Sequence, residues 1–131
     1  KMSKSKGNTI NIFLADKQLR KQIMSIQTDS TPLEEPKDPD TCNVFALYKF
    51  VASAEEIKQM RKNYEAGGYG YGHAKTALYE KVLERFKKER ILYNEYMADF
   101  DKIDAALAKG AQKARPIADA VIKRVRGKVG Y

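Results

Sequence analysis

An all-helical bundle of about five helices, preceded by a flexible loop, is the fold this sequence predicts, on three observations. No stretch alternates apolar and polar residues over β-branched positions. Apolar residues recur instead at steps of three and four. Proline and glycine clusters cut the chain into short amphipathic segments, which bury their faces only by packing on one another.

Asn8 to Leu14 is mixed and leads into Asp16, the expected N-cap of a first helix carrying Leu19, Ile23 and Ile26 and ending near Thr28. Residues 31–40 hold Pro32, Pro36 and Pro39 among the carboxylates Glu34, Glu35, Asp38 and Asp40. Three imides that cannot donate hydrogen bonds make this a loop. Asp40 or Thr41 is the expected cap of a helix with Val44, Leu47, Tyr48 and Val51 on one face. Ser53 and Glu56 have capping-box spacing and open a third helix with Ile57, Met60 and Tyr64 inside. The run from Gly67 to Gly72 ends that helix. With no strand before it and the wrong glycine spacing, it reads as a connector whose tyrosines pack, not as a phosphate loop.

From His73 to Met97 there is neither proline nor glycine, and Ala74, Leu78, Val82, Phe86, Tyr93 and Met97 trace one side of an expected long helix. Asp99 or Asp101 starts the last helix, where Pro116 predicts a kink between Gly110 and Pro116, and Gly127 and Gly130 mark the end.

At 131 residues with 43% hydrophobic content, one domain with a modest core is expected. No apolar run approaches the roughly 20 residues that cross a bilayer, so no membrane association and an intracellular, cytoplasmic setting are expected. The lone Cys42 cannot form an internal disulfide and reads as a small buried side chain on a helix. His73 is the only histidine, which excludes a His-dependent triad or His-rich metal cluster within this chain.

A net charge of +8 points toward polyanions or simply toward solubility. Its distribution is uneven: Lys113, Arg115, Lys123, Arg124, Arg126 and Lys128 face only Asp119 late in the chain, while the 31–40 linker is acidic.

The segment Lys1-Met2-Ser3-Lys4-Ser5, followed by Lys6-Gly7-Asn8, concentrates ammonium groups and hydroxyls on a short stretch ending in glycine. Those are the groups a polyphosphate needs, and Gly7 permits a close backbone approach. Read from composition alone, the same segment is equally a solvated cationic tail. The chain is then a non-catalytic helical RNA-binding or adaptor module, or a scaffold whose apolar faces mate with another protein.

The five opening residues spell the nucleotide signature of class I aminoacyl-tRNA synthetases. In order, Lys1 to Ser5, Thr28-Asp29-Ser30, Cys42 to Tyr48, Gly72-His73-Ala74-Lys75 and Lys113-Ala114-Arg115 resemble the carboxyl-terminal part of the bacterial tryptophanyl-tRNA synthetases. The resemblance implies a fragment of a larger ligase. Residues 1–14 would be the phosphate loop and a remnant of the catalytic domain, and residues 15–131 a helical tRNA anticodon-binding domain.

It further implies activation of L-tryptophan with ATP and Mg2+, transfer to tRNA(Trp), no tightly bound cofactor, and a homodimeric parent. The fragment alone would be inactive. By the same resemblance Lys4 is the catalytic ammonium on the departing pyrophosphate. Lys1, Met2, Ser3 and Ser5 complete the ATP-binding set. Lys81, Arg85, Lys88, Lys113, Arg115 and Lys123 are expected tRNA contacts, with Tyr64 or Tyr69 available to stack an unpaired base. Pro116 departs from the family pattern and leaves the shape of the last helix open.

Overall fold

The structure, a computed structural model, describes residues 2–130; the side chain of Lys4 and the terminal residues Lys1 and Tyr131 lie outside that description. Among the described residues there are six α-helices, one short 3-10 turn and no strand. The helices are α1 (Asp16–Met24), α2 (Asn43–Tyr48), α3 (Ala54–Ala66), α4 (Tyr71–Arg85), α5 (Lys87–Ala98) and α6 (Phe100–Val129). The chain divides into two compact units, Lys1–Arg90 and Ile91–Tyr131.

The first unit holds the core. The apolar steps that predict each helix are the side chains it buries: Leu19 and Ile23 on α1, Val44, Phe45 and Tyr48 on α2, Met60 and Tyr64 on α3, and Ala74, Leu78 and Val82 on α4. Helix α4 packs against both α1 and α2. Tyr64 and Phe45 are the largest fully buried side chains, with ring centroids 5.8 Å apart. Cys42 is buried as expected, its Sγ 3.5 Å from the Tyr64 hydroxyl, but it stands in extended backbone just before α2 and not on a helix.

The capping box opens α3 as its spacing predicts: the Glu56 amide donates to Ser53 Oγ at 3.4 Å, and the Ser53 amide donates to Glu56 Oε2 at 2.9 Å. At the other end of α3, Gly67 has φ +77°, and a Cβ there would meet the Glu34 carbonyl oxygen at 2.4 Å. Glycine is required on both counts, left-handed backbone and close approach. Gly68 then donates its amide to the Leu33 carbonyl, which draws the proline-rich linker against the helix end.

Lys37 lies inside that linker and is the one charged side chain buried among the described residues. Its ammonium donates to the carbonyls of Pro32 (2.7 Å), Leu33 (3.2 Å) and Glu35 (3.0 Å) and sits over the Tyr71 ring. Its backbone amide donates to the Tyr64 carbonyl at 2.7 Å. One side chain thus supplies a donor to three carbonyls of a proline-rich segment, of which Leu33 also accepts from the Gly68 amide.

Four expectations about helix limits need correction. Helix α1 stops at Met24, short of Thr28, and Asp16 is its first residue, with Ala15 at the N-cap position. Helix α2 begins at Asn43 behind Cys42 with no side-chain cap, so neither Asp40 nor Thr41 plays that part. Asp40 instead pairs with Arg61 on α3 at 2.5 Å.

The expected single helix from His73 to Met97 is broken at Phe86. No proline or glycine marks that break; it falls where Phe86 packs against the core, with the Arg85 guanidinium 5.3 Å from its ring. Helix α6, by contrast, runs unbroken through Pro116. A proline deletes one backbone bond, and the alanines at 111, 114, 118 and 120 sustain the helix around it.

In the second unit α6 is capped by Asp99, whose carboxylate accepts from the Lys102 amide at 3.4 Å, and ends at Gly130 in the left-handed region. None of its residues is buried; Leu107, Ile117, Val121 and Val125 are exposed. No helix among the described residues is long and apolar enough to cross a membrane.

Candidate nucleotide loop and nucleic-acid surface

Residues 2–8 form a turn held by backbone bonds and by bonds to its own polar side chains. The 3-10 turn Lys4–Lys6 is closed by the Lys6 amide, which donates to the Ser3 carbonyl at 3.2 Å and toward Ser3 Oγ at 3.3 Å. The Ser3 amide donates to Asn8 Oδ1 at 2.8 Å across the base of the turn, and the Ser3 and Ser5 hydroxyls lie 3.2 Å apart. Gly7 supplies the reversal with φ +64°, the left-handed conformation that a residue with a Cβ adopts only at a cost.

Two expected ligand-binding hydroxyls therefore sit side by side on a surface turn. Ser5 and the neighbouring Met2 are exposed, and Ser3 is half-buried. Lys1 and the Lys4 ammonium, the other members of the expected set, fall outside the described residues.

Beneath the turn lies a cleft of about 650 Å³ lined by Met2, Lys6, Asn8, Ile10, Ile26 and Leu47 among others. That volume is in the range of small-molecule sites. Among the described residues no group of three His, Cys, Asp or Glu side chains converges to hold a metal ion. A magnesium ion here would be carried by phosphate oxygens, which are its preferred hard ligands.

The turn leaves through residues 9–15, where a second small device holds it. Asn11 makes an Asx turn, its Oδ1 accepting from the Phe13 amide at 3.0 Å, while its own amide donates to Gln22 Oε1 on α1 at 3.0 Å. Ile10, Ile12 and Leu14 pack against the core. Arg90, from α5, reaches the carbonyls of Ile12 and Leu14 and the carboxylate of Asp16.

The expected tRNA-contacting cations fall into two groups. Lys81 on α4 is half-buried and held by Glu56 at 2.6 Å and Glu84 at 2.7 Å. Its ammonium pKa is pushed up by those two carboxylates, and the Glu56 carboxyl is drawn down to about 2 by Lys81 and by the Ser53 cap. Arg85 lies 3.8 Å from Glu89. Lys88 on α5 and Lys113, Arg115 and Lys123 on α6 are exposed.

Tyr64 is 0% exposed and so has no face to offer a base. Burial, foremost, raises its phenol pKa. Tyr69 is half-buried, between Tyr64 (5.8 Å) and His73 (5.7 Å).

Sequence reasoning missed Arg90 and Lys37, both single cations in unremarkable surroundings whose partners are backbone carbonyls far along the chain. It flagged the blocks containing Asp29 and Tyr71 but not the bond between them.

No protein-family model matches the chain. Among curated proteins, the tryptophan–tRNA ligase of Rhodopirellula baltica is 44% identical over 130 residues, 99% of this chain and 41% of that protein. The tryptophan–tRNA ligase of Campylobacter jejuni is 45% identical, with the same coverage. The crystal structure of tryptophanyl-tRNA synthetase from Campylobacter jejuni complexed with ADP and tryptophan superposes with a TM-score of 0.93, covering 100% of this chain and 41% of that one. The chain is a homologue of the tryptophan–tRNA ligases throughout its length. It spans about 41% of the length of those relatives and corresponds to their carboxyl-terminal part. The helical architecture is the one that part adopts in the solved structure.

Proposed function

We propose that this chain supplies the phosphate loop and the tRNA-binding helices of a tryptophan–tRNA ligase. The observation that carries the reading is a match at 44–45% identity over 130 residues, 99% of this chain, together with the Ser3 and Ser5 hydroxyls paired on one turn. The Campylobacter jejuni protein was crystallised with ADP and tryptophan, an adenine nucleotide and the amino acid of this reaction.

The reaction is attack of the tryptophan carboxylate on the α-phosphate of ATP, giving tryptophanyl-adenylate and pyrophosphate. The aminoacyl group then passes to the 3′ end of tRNA(Trp). In the first step negative charge accumulates on the departing β and γ phosphates, and positioning and electrostatic stabilisation lower the barrier. Lys4 is the ammonium we assign to that charge, with Lys1 beside it on the triphosphate. Ser3 and Ser5 donate their hydroxyls, 3.2 Å apart, to adjacent phosphate oxygens, and Met2 borders the adenine. Magnesium arrives on the ATP and neutralises phosphate charge.

Residues 1–14 then belong functionally to the catalytic domain and residues 15–131 to tRNA recognition. Lys88, Lys113, Arg115 and Lys123 are exposed, as phosphate contacts must be. Lys81 and Arg85 take part only by exchanging carboxylate partners for phosphate, so their contribution is the smaller. The parent is a cytoplasmic homodimer in this reading.

Tryptophan-dependent exchange of pyrophosphate into ATP by the full-length protein tests the reading. Exchange with tryptophan and not with tyrosine supports it; no exchange with either removes it. A salt titration of tRNA(Trp) binding tests the helical surface, since phosphate contacts make affinity fall steeply with ionic strength. A flat response rules that surface out.

A further inference from the structure

Arg90 reaches from α5 to the segment leaving the phosphate turn, and it does so with an unusual choice of acceptors. One terminal nitrogen donates to the carbonyls of Ile12 and Leu14, the latter at 3.0 Å, and the other pairs with Asp16 Oδ1 at 2.5 Å. Its side chain is 16% exposed, against 67% for Asp16, so the guanidinium is sunk under the segment and not laid across its surface. The partners lie 74 to 78 positions away in sequence.

The three acceptors are spaced along one piece of backbone, from the Asx turn at Asn11 to the first residue of α1. A planar guanidinium is the one side chain whose donors match such a fan of oxygens in fixed geometry, whereas a lysine ammonium is a point charge on a flexible stem. The same backbone is pinned on its other side by the Asn11 amide on Gln22 and by Ile10, Ile12 and Leu14 against the core. Residues 2–8 are mostly exposed, and the Ser3 amide, the Lys6 amide and the Ser3 and Ser5 hydroxyls bond within the turn. The clamp at residues 12–16 holds the backbone through which that turn leaves.

We infer that Arg90 is a positioning residue for the phosphate loop: by clamping the Ile12 and Leu14 carbonyls and the Asp16 carboxylate, it fixes the angle at which residues 2–8 meet the triphosphate. Arg90 touches neither substrate nor reacting atoms. It acts through the backbone, and its effect falls on the transition state, in which the loop must be in register, more than on ground-state binding. Because α5 contributes the clamp, the helical part of the protein has a direct hold on the loop. The inference rests on the functional reading above.

The test uses the full-length protein, with Arg90→Lys and Arg90→Ala compared to wild type. Active sites are counted by the adenylate burst. The expected result is that kcat for tryptophan-dependent pyrophosphate exchange falls on the order of 10- to 100-fold per active site in Arg90→Ala, the scale of a misplaced reacting group, with KM for tryptophan unchanged. Arg90→Lys keeps the charge near Asp16 but not the fan of bonds. It is expected to hold Tm near wild type while still lowering kcat, a split that a merely structural residue does not give. Hydrogen exchange at amides 3–15 should rise in both variants. A per-site kcat equal to wild type in Arg90→Lys overturns the inference, whether or not Arg90→Ala folds. Wild-type protein without tryptophan-dependent exchange removes the functional reading itself, and this inference with it.

Discussion

The Tyr71 hydroxyl donates to Asp29 Oδ1 at 2.7 Å, joining the start of α4 to the segment after α1 across 42 positions of sequence. Asp29 also accepts from the Thr31 amide at 2.9 Å. The Thr31 bonds, then that of Tyr71, hold the carboxyl below the usual carboxylate range. Tyr71 itself is pushed up to about 12, by burial first and by Asp29 second. The bond is therefore made by a neutral phenol and an ionised carboxylate, the stronger kind of side-chain pair.

Replacing Tyr71 by Phe removes that bond and leaves the ring on Tyr64 (6.0 Å). A loss of about 1 kcal/mol is expected by urea denaturation, small because Asp29 is exposed and recovers its bond from water. The alkaline side changes too. The folded pKa lies above the ordinary value of 10.0, so the Tyr71 contribution is complete below that pH and declines as pH rises toward about 12. Tyr71→Phe should flatten part of that decline.

Glu56 gives the matching test in acid. Lys81, then the Ser53 cap, draw its carboxyl from 4.5 to about 2, so the folded state favours the ionised form. Its contribution is complete above the unfolded value and is lost as pH falls through that window toward about 2. In Glu56→Gln the slope of unfolding free energy against pH between these limits should be shallower than in wild type. Equal slopes contradict this role for the capping box.

Lys37→Met is expected to destabilise the first unit by about 2 to 3 kcal/mol, the scale for hydrogen bonds to a charged group whose partners stay behind unsatisfied. The Pro32 and Glu35 carbonyls lose the ammonium donor, and the Leu33 carbonyl is left with the Gly68 amide alone. Chemical denaturation monitored by circular dichroism measures it. A change under 0.5 kcal/mol, the range of ordinary surface substitutions, contradicts the bracing role of the ammonium.

What the sequence revealed and what it hid follow from the range of each interaction. The Ser53–Glu56 box and the Ala74, Leu78 and Val82 stripe depend on residues within a few turns of one another, so spacing alone exposes them. The proline linker is equally local. Lys37 and Arg90 bind backbone carbonyls, which leave no trace in side-chain identity, and Arg90 does so across more than half the chain. The break at Phe86 lacks the residues that break helices, because tertiary packing sets it. Pro116 does not end its helix, since its helix-forming neighbours carry α6 through it. For the candidate site, the order of short blocks put forward Lys1 to Ser5, while charge alone chose Lys81 without seeing the two carboxylates that hold it.

The central claim, that the opening turn stabilises a departing pyrophosphate, is tested most directly by single-turnover adenylate formation in the full-length protein with Lys4→Ala. Loss of one transition-state donor should raise the barrier by about 2.7 to 4 kcal/mol, roughly 100- to 1000-fold in rate, with a smaller change in ATP affinity. A rate equal to wild type contradicts the claim and removes Lys4 from the mechanism.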